Sequence, residues 1–202
     1  MADQRQQLPD RPKVESSRLS FDPPNAQDDP AMGAMLSDPD TMVHLLYMAK
    51  EWQGGWTAEE LVTRRENQCK AIKEKRGSTY YIHDKSTGEL AGVMGANMIN
   101  LNDRNSTVGI ILRKKYWSGG YGTEALYELM RELFEDLKMH KLLYETTESN
   151  LGMRKFLEKT CGIPLTYVRK DEYEMFEDDW PRISATLLES MKRGAAKQAT
   201  TV

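Results

Sequence analysis

At 202 residues the chain has room for one domain of ordinary size with tails, and a large multidomain assembly is excluded. Its 28 basic residues stand against 31 acidic ones, a net charge of −3 that supplies no global field for gripping nucleic acid or a membrane surface. No apolar run approaches the roughly 18 residues of a membrane helix, and Met1 to Gln7 lacks the apolar stretch of a secretory signal. Only Cys69 and Cys161 are present, without a CxxC pair and beside 3 histidines, so neither a disulfide framework nor a metal site is expected. A reducing, cytoplasmic setting is the default expectation.

Residues 1–15 and 191–202 lack periodicity and read as flexible tails around one domain at 16–190. Within it, Ser17 to Phe21 reads as a strand ended by Asp22-Pro23-Pro24, and helical stretches follow at 28–37 and 39–50. Thr57-Ala58-Glu59-Glu60 has the capping-box pattern and opens a helix reaching about Lys75. Thr79 to Asp84 and Leu90 to Ile99 read as a hairpin around Lys85-Ser86-Thr87-Gly88, with a third strand at Thr107 to Leu112. Thr123 to Leu137 carries Leu126, Leu129, Met130, Leu133, Phe134 and Leu137 on one helical face. A strand at 141–146, a helix at 151–160 and strands near 165–169 and 172–176 complete the order. Helices, an antiparallel meander and a β-α-β-α-β unit together indicate an α+β domain with a mixed sheet.

The most informative segment joins the strand Ile110-Ile111-Leu112 to the best helix through Trp117-Ser118-Gly119-Gly120-Tyr121-Gly122-Thr123. Glycines let the backbone take positive φ and remove the Cβ that would block a ligand, while the first helical turn offers unpaired N–H groups at the positive end of the dipole. That combination suits a phosphate or pyrophosphate; the plain alternative is a glycine-rich turn. No Walker A string occurs. Gly120-x-Gly122-x-x-Ala125 satisfies the dinucleotide fingerprint literally, yet four residues separate it from its strand and only about 80 residues follow, so a dinucleotide-binding oxidoreductase is a weak third reading.

Trp117 to Leu126 resembles the acyl-CoA pyrophosphate loop of the GNAT superfamily of N-acetyltransferases, whose pattern is Gln/Arg-x-x-Gly-x-Gly/Ala. Tyr116-Trp117 and Gly-Tyr-Gly-Thr-Glu-Ala-Leu are most similar to the branch of ribosomal-protein N-terminal and spermidine acetyltransferases (the RimJ/RimL-like branch). Ser17-Arg18-Leu19, Leu36 to Pro39, Glu89 to Gly92, Gly109, Leu137 to Lys141, Ser149-Asn150 and Tyr173 to Phe176 extend the likeness over nearly the whole domain. It implies a GNAT-like, mostly antiparallel central sheet flanked by helices, with acetyl-CoA (coenzyme A) as co-substrate. It also implies that Ile110, Ile111 and Leu112 pair with the pantetheine arm, that the N–H groups of Trp117, Ser118, Gly119, Gly120, Tyr121, Gly122 and Thr123 hold the pyrophosphate, and that Asn150 contacts the CoA arm. Trp117 stands where the family usually has Gln or Arg. The implied partner is an amine acceptor, namely a protein N-terminus, a polyamine or a small amine, with neither nucleic acid nor membrane, in a monomer or homodimer.

Acyl transfer to an amine needs a neutral amine, oxyanion stabilisation and a proton for the departing thiolate. The resemblance puts the oxyanion near the Leu112 N–H. The family's usual hydroxyls after the Asn fall on Met153 and Leu157, neither of which carries a proton. Tyr167 and Tyr173 are substitutes by residue type, with packing as their plain role. Glu145 and Glu148 are candidate bases; alternation along a continued strand would put them on opposite faces. His140 reads as a capping or packing residue at a helix-to-strand turn. The acidic run from Asp171 to Asp179 suits a cationic acceptor, though such runs are usually solvated. Trp52, Trp56 and Gly54-Gly55 lie where this branch has a substrate-side segment, while Cys161 has no activating neighbour in sequence. The alternative is a GNAT-fold protein that binds CoA without turnover.

Overall fold

The computed structural model describes residues 16–45, 48, 50, 54–167 and 172–199. Seven strands form one sheet in the order β1-β2-β3-β4-β5-β7-β6. They are β1 (Leu19–Asp22), β2 (Gly77–Asp84), β3 (Leu90–Asn100), β4 (Asn105–Leu112), β5 (Lys141–Glu145), β6 (Leu165–Tyr167) and β7 (Glu172–Phe176). The β4–β5 pair is parallel and every other pair antiparallel. This is the mixed, mostly antiparallel α+β sheet expected.

One face carries the short helices α1 (Asp29–Leu36) and α2 (Pro39–Met42) and the longer α3 (Ala58–Lys73). Met32, Met35, Leu36, Met42 and Leu61 pack there onto Tyr81, Leu90 and Val93. The Thr57–Glu60 capping box is formed in full at the start of α3, so the local signal and the tertiary position agree. The expected 39–50 helix is reduced to α2; the chain turns at Val43 and His44, and residues 46, 47 and 49 lie outside the described residues.

The opposite face holds α4 (Tyr121–Arg131), α5 (Leu151–Lys155) and α6 (Trp180–Ala199), with a π-helical turn continuing each of the first two. The periodic stripe of α4 is buried as expected: Leu126, Leu129, Met130 and Leu133 pack with Val108, Leu142, Tyr144 and Met175. Helix α6 corrects the reading of 191–199 as a patternless tail. Its Pro181 occupies the first turn, where no N–H is needed, so a residue that looks like a breaker starts the helix. Trp180, Ile183 and Leu187 then join the core. The expected N-terminal tail 1–15 and residues 200–202 lie outside the described residues.

Within this core the Tyr144 hydroxyl is buried with no hydrogen-bond partner among the described residues. Burial pushes it well above the ordinary tyrosine range. An unsatisfied buried hydroxyl costs about 1–3 kcal/mol, so Tyr144→Phe is expected to raise stability by about 1 kcal/mol in chemical denaturation; a loss of stability would show that the hydroxyl has a partner.

Candidate active site

The sheet opens where the fold changes from antiparallel to parallel. Strands β4 and β5 are in register from Asn105↔Lys141 to Val108↔Tyr144 and no further. Beyond that point β4 follows β3 to the pair Gly92↔Leu112, and β5 follows β7 to Glu145↔Glu172. Gly109 to Leu112 thus border a gap. Ile110 and Leu112 pack towards the α4 core and Ile111 towards the α1–α3 core, each half-buried. Gly109 is exposed, and a Cβ placed there would meet nothing within 4 Å.

At the end of β4 the chain makes a short turn through Lys114–Tyr116 and enters the glycine segment. Trp117 is anchored by its indole N–H on the Leu112 carbonyl at 2.7 Å, and Lys114 lies over its ring at 4.0 Å. Ser118 and Gly120 adopt positive φ, +62° and +79°, and Gly120 is the N-cap of α4. Among the described residues, the N–H groups of Ser118, Gly119, Gly120, Tyr121, Gly122 and Thr123 donate to no acceptor. They stand at the positive end of an 11-residue helix, beside the gap, with glycine at three of the positions. Open N–H groups at a helix N-terminus suit an anion.

Two residues to which the sequence assigned no role hold this cradle in place. Arg18, next to β1, donates Nε to the Glu124 carboxylate at 2.7 Å and Nη1 to the Gly119 carbonyl at 3.0 Å, and its guanidinium lies 4.1 Å from the Tyr121 ring centroid. The Glu124 side chain is only 5% exposed and also accepts the Arg18 backbone N–H at 2.8 Å. Burial pushes this carboxyl up, and the hydrogen bonds from Ser16 and Arg18, just before β1, reverse that, leaving it below the usual glutamate range. The one sequence signal was a glutamate in the first turn of the best amphipathic helix; its partner lies 106 residues away.

Across the gap, Asn150 caps α5 by accepting the Met153 N–H at 3.1 Å. Met153 is half-buried and Leu157 wholly buried in the core, so the two positions where hydroxyls were sought are occupied by packing residues. Glu145 ends β5 on the face away from buried Leu142 and Tyr144, and is exposed. Glu148 lies beyond the strand, so the alternation argument does not reach it. Tyr173 is fully buried, and its hydroxyl donates to Glu158 at 2.6 Å, which Arg154 also meets at 3.1 Å. Tyr173 pairs with Tyr144 in the ladder, so the structure does not bring it to the face of Glu145. The side chains of Tyr167, Asp171 and Trp52 lie outside the described residues.

His44 is a further residue at the mouth of the gap, and composition offered no reason to select it. It stacks on Trp117 at 5.9 Å, with Nδ1 3.4 Å from the Ser149 hydroxyl, which is 3.2 Å from that of Thr147. Partial burial and then the Lys114 charge push its pKa below the ordinary histidine value. His140 sits at the other end of β5, 3.4 Å from Glu177, in the structural role expected. Glu174 pairs with Lys141, Glu177 with Arg104 and Asp179 with Arg182, so much of the acidic run is engaged in ion pairs. Burial pushes the Cys161 thiol up to about 12, which removes it as a nucleophile.

The family model of the acetyltransferase (GNAT) domain matches residues 18–162. The chain belongs to the GNAT acetyltransferase family. Members of this family use acetyl-CoA, and the unpaired N–H groups of Ser118 to Thr123 at the positive end of α4 suit a diphosphate in donor chemistry. No curated protein matches the sequence. Among solved structures, the GNAT chain is similar to a GCN5-related N-acetyltransferase from Brucella melitensis at 19% identity and a TM-score of 0.69, covering 91% of this chain and 86% of that one. It is similar to RimL, a ribosomal L7/L12 alpha-N-protein acetyltransferase in complex with coenzyme A, at 14% identity and a TM-score of 0.68, covering 83% and 99%. Spermidine N-acetyltransferase from Vibrio cholerae, in complex with CoA and spermine, gives 15% identity and a TM-score of 0.65, covering 82% and 99%. These likenesses establish the shared fold. Among the described residues no helix is long and apolar enough to cross a membrane.

Proposed function

We propose that this GNAT enzyme transfers an acetyl group from acetyl-CoA directly to a primary amine, of a protein N-terminus, a polyamine or a small molecule. The observation that carries the reading is the row of unpaired N–H groups from Ser118 to Thr123 beside the β4–β5 gap. Ser118 to Thr123 hold the diphosphate, whereas the Trp117 N–H, expected to share in this, is taken by the Lys114 carbonyl at 3.1 Å; Ile110 to Leu112 offer backbone groups to the pantetheine arm, and Asn150 shapes the opposite wall. The α4–α5 side of the gap is filled by core, whereas Gly109 leaves the other face open, so the acceptor approaches from that face. Glu145 shares it and takes the amine proton; Glu148, in the following turn, assists through water. Tyr173 donates its hydroxyl hydrogen bond to Glu158 and acts as a positioning group for α5, so the thiolate is protonated by solvent.

Coenzyme A at 100 times its Kd stabilises the native state by about 2.7 kcal/mol, which for a domain of this size raises the melting temperature by roughly 5–10 °C. NAD is expected to leave it unchanged, and the reverse result would overturn the assignment. Thiol release from acetyl-CoA is then measured over a panel of peptides, polyamines and small amines. Glu145→Gln is expected to lower kcat by about 100-fold with CoA affinity unchanged; an unaltered kcat would remove Glu145 as the base. Met153 and Leu157 favour a second reading, a CoA-binding protein without turnover, and silence across the panel would select it.

A further inference from the structure

We propose that the cavity between α3 and the β2–β3 ladder is a second ligand site, taking a small organic anion whose carboxylate or phosphate group pairs with Arg64. The cavity is an open groove of about 610 Å³, and Trp56, Arg64, Asn67, Gln68, Thr79 and Asn97 are among the residues that line it. It lies on the α1–α3 face of the sheet, the face from which the acceptor approaches, but it reaches Asn97 at the level of Thr107, where β4 and β5 are still paired and the gap has not yet opened.

Arg18, Arg65, Arg131 and Arg154 are each largely covered, and each meets a carboxylate within 3.1 Å. Arg64 is also covered, enough that burial weakens its hold on its proton, yet among the described residues it has no ion-pair partner. Its Nε is buried without a hydrogen bond, and so is the Trp56 indole N–H. The usual helical partner, four residues earlier, is Glu60, but that carboxylate is taken by the Lys50 ammonium and by the Thr57 backbone N–H. A largely covered guanidinium with no counter-ion is unfavourable for folding and favourable for binding an anion, because most of its desolvation precedes the ligand.

The rest of the lining defines the ligand's size and character. The Trp56 ring, with the Arg64 guanidinium 6.0 Å and the Lys50 ammonium 4.7 Å from its centroid, forms a flat wall for the organic part. Asn67, Gln68 and Asn97 supply amides and Thr79 a hydroxyl, which offer both donors and acceptors. Gln68 already accepts the Tyr81 hydroxyl at 3.2 Å, which orients its amide. A volume of this order suits a small metabolite and excludes a folded partner.

The test is a thermal-shift titration of the full chain at constant ionic strength with succinate, citrate and inorganic phosphate, and with uncharged succinamide as control. At least one anion is expected to give a saturable rise that succinamide lacks, and Arg64→Gln is expected to weaken it by 10-fold or more, as loss of a charge-assisted hydrogen bond requires. The response to coenzyme A should be unchanged in that variant, which separates this site from the acetyl-transfer site. Unliganded Arg64→Gln should melt no lower than the parent, because it removes an unpaired charge. The proposal fails if no anion saturates, if the shift is the same in Arg64→Gln, or if that variant melts much lower and so reveals a structural partner. It fails equally if the shift survives Arg64→Gln and vanishes in Gly122→Glu, which assigns the anion to the glycine cradle.

Discussion

Replacing Gly122 by glutamate is expected to abolish coenzyme A binding while leaving the domain folded. A Cβ at this position meets only Leu112 Cδ1, at 3.5 Å, an ordinary contact. The first turn of α4 also favours a carboxylate through the helix dipole, so melting should be unchanged or slightly higher. That carboxylate, however, occupies the space in front of the unpaired N–H groups and repels the diphosphate. Losing two hydrogen bonds to a charged group, each worth about 1.5–3 kcal/mol, weakens binding by at least ~100-fold. Calorimetric titration decides the matter: a folded Gly122→Glu variant with undiminished CoA affinity would remove the loop from the site. Gly122→Ala adds only the methyl group and is expected to bind with a much smaller loss.

Arg18→Ala is expected to be the most destabilising single change considered, at about 3 kcal/mol, because it strands the Glu124 carboxylate in the core. In a domain of this size that is a fall of roughly 6–12 °C in melting temperature. The variant also releases the Gly119 carbonyl and the Tyr121 ring, so CoA affinity should fall with it. The pH dependence separates this cause from general damage. Glu124 in the parent titrates below its unfolded value of about 4.3, so its contribution is present above that pH and is lost as pH falls through the folded value. Without Arg18 only burial and the weaker hydrogen bonds remain, the carboxyl rises, and acid relieves the strain. Between pH 7 and 4 the variant should therefore lose less stability than the parent, and parallel curves would refute the account. Converting Glu124 to leucine in the same chain should recover part of the loss.

The parts of the molecule legible from its residues are those whose cause is local. The α4 stripe, the Thr57–Glu60 capping box, the hairpin of β2 and β3 and the glycines before α4 each depend on neighbours within a few positions, and each formed as read. The failures are also physical. Helix α6 was hidden because Pro181 and the acidic residues before it resemble a terminus, and only packing of Trp180, Ile183 and Leu187 against the core makes a helix there worthwhile. The 39–50 stretch has helical composition, yet after α2 the chain turns, and His44 meets Trp117 and Ser149 instead. Glu145 and Glu148 looked equivalent until β5 ended between them.

Composition excluded a membrane helix and a global field for nucleic acid, and local pattern set the class of fold and the glycine segment that opens α4, because backbone conformation and helix dipoles act over one or two turns. Tertiary structure alone decided the rest. The pairing of Arg18 with Glu124, the opening between β4 and β5, the exposure of Gly109 and the lack of an ion-pair partner for Arg64 among the described residues all depend on residues far apart in the chain. Whether a buried charge is satisfied or left waiting for a ligand is a property of that three-dimensional neighbourhood. The opening charge balance illustrates the difference: a sum of −3 is silent about a single arginine that folding has largely covered and that meets no carboxylate within ion-pair distance among the described residues.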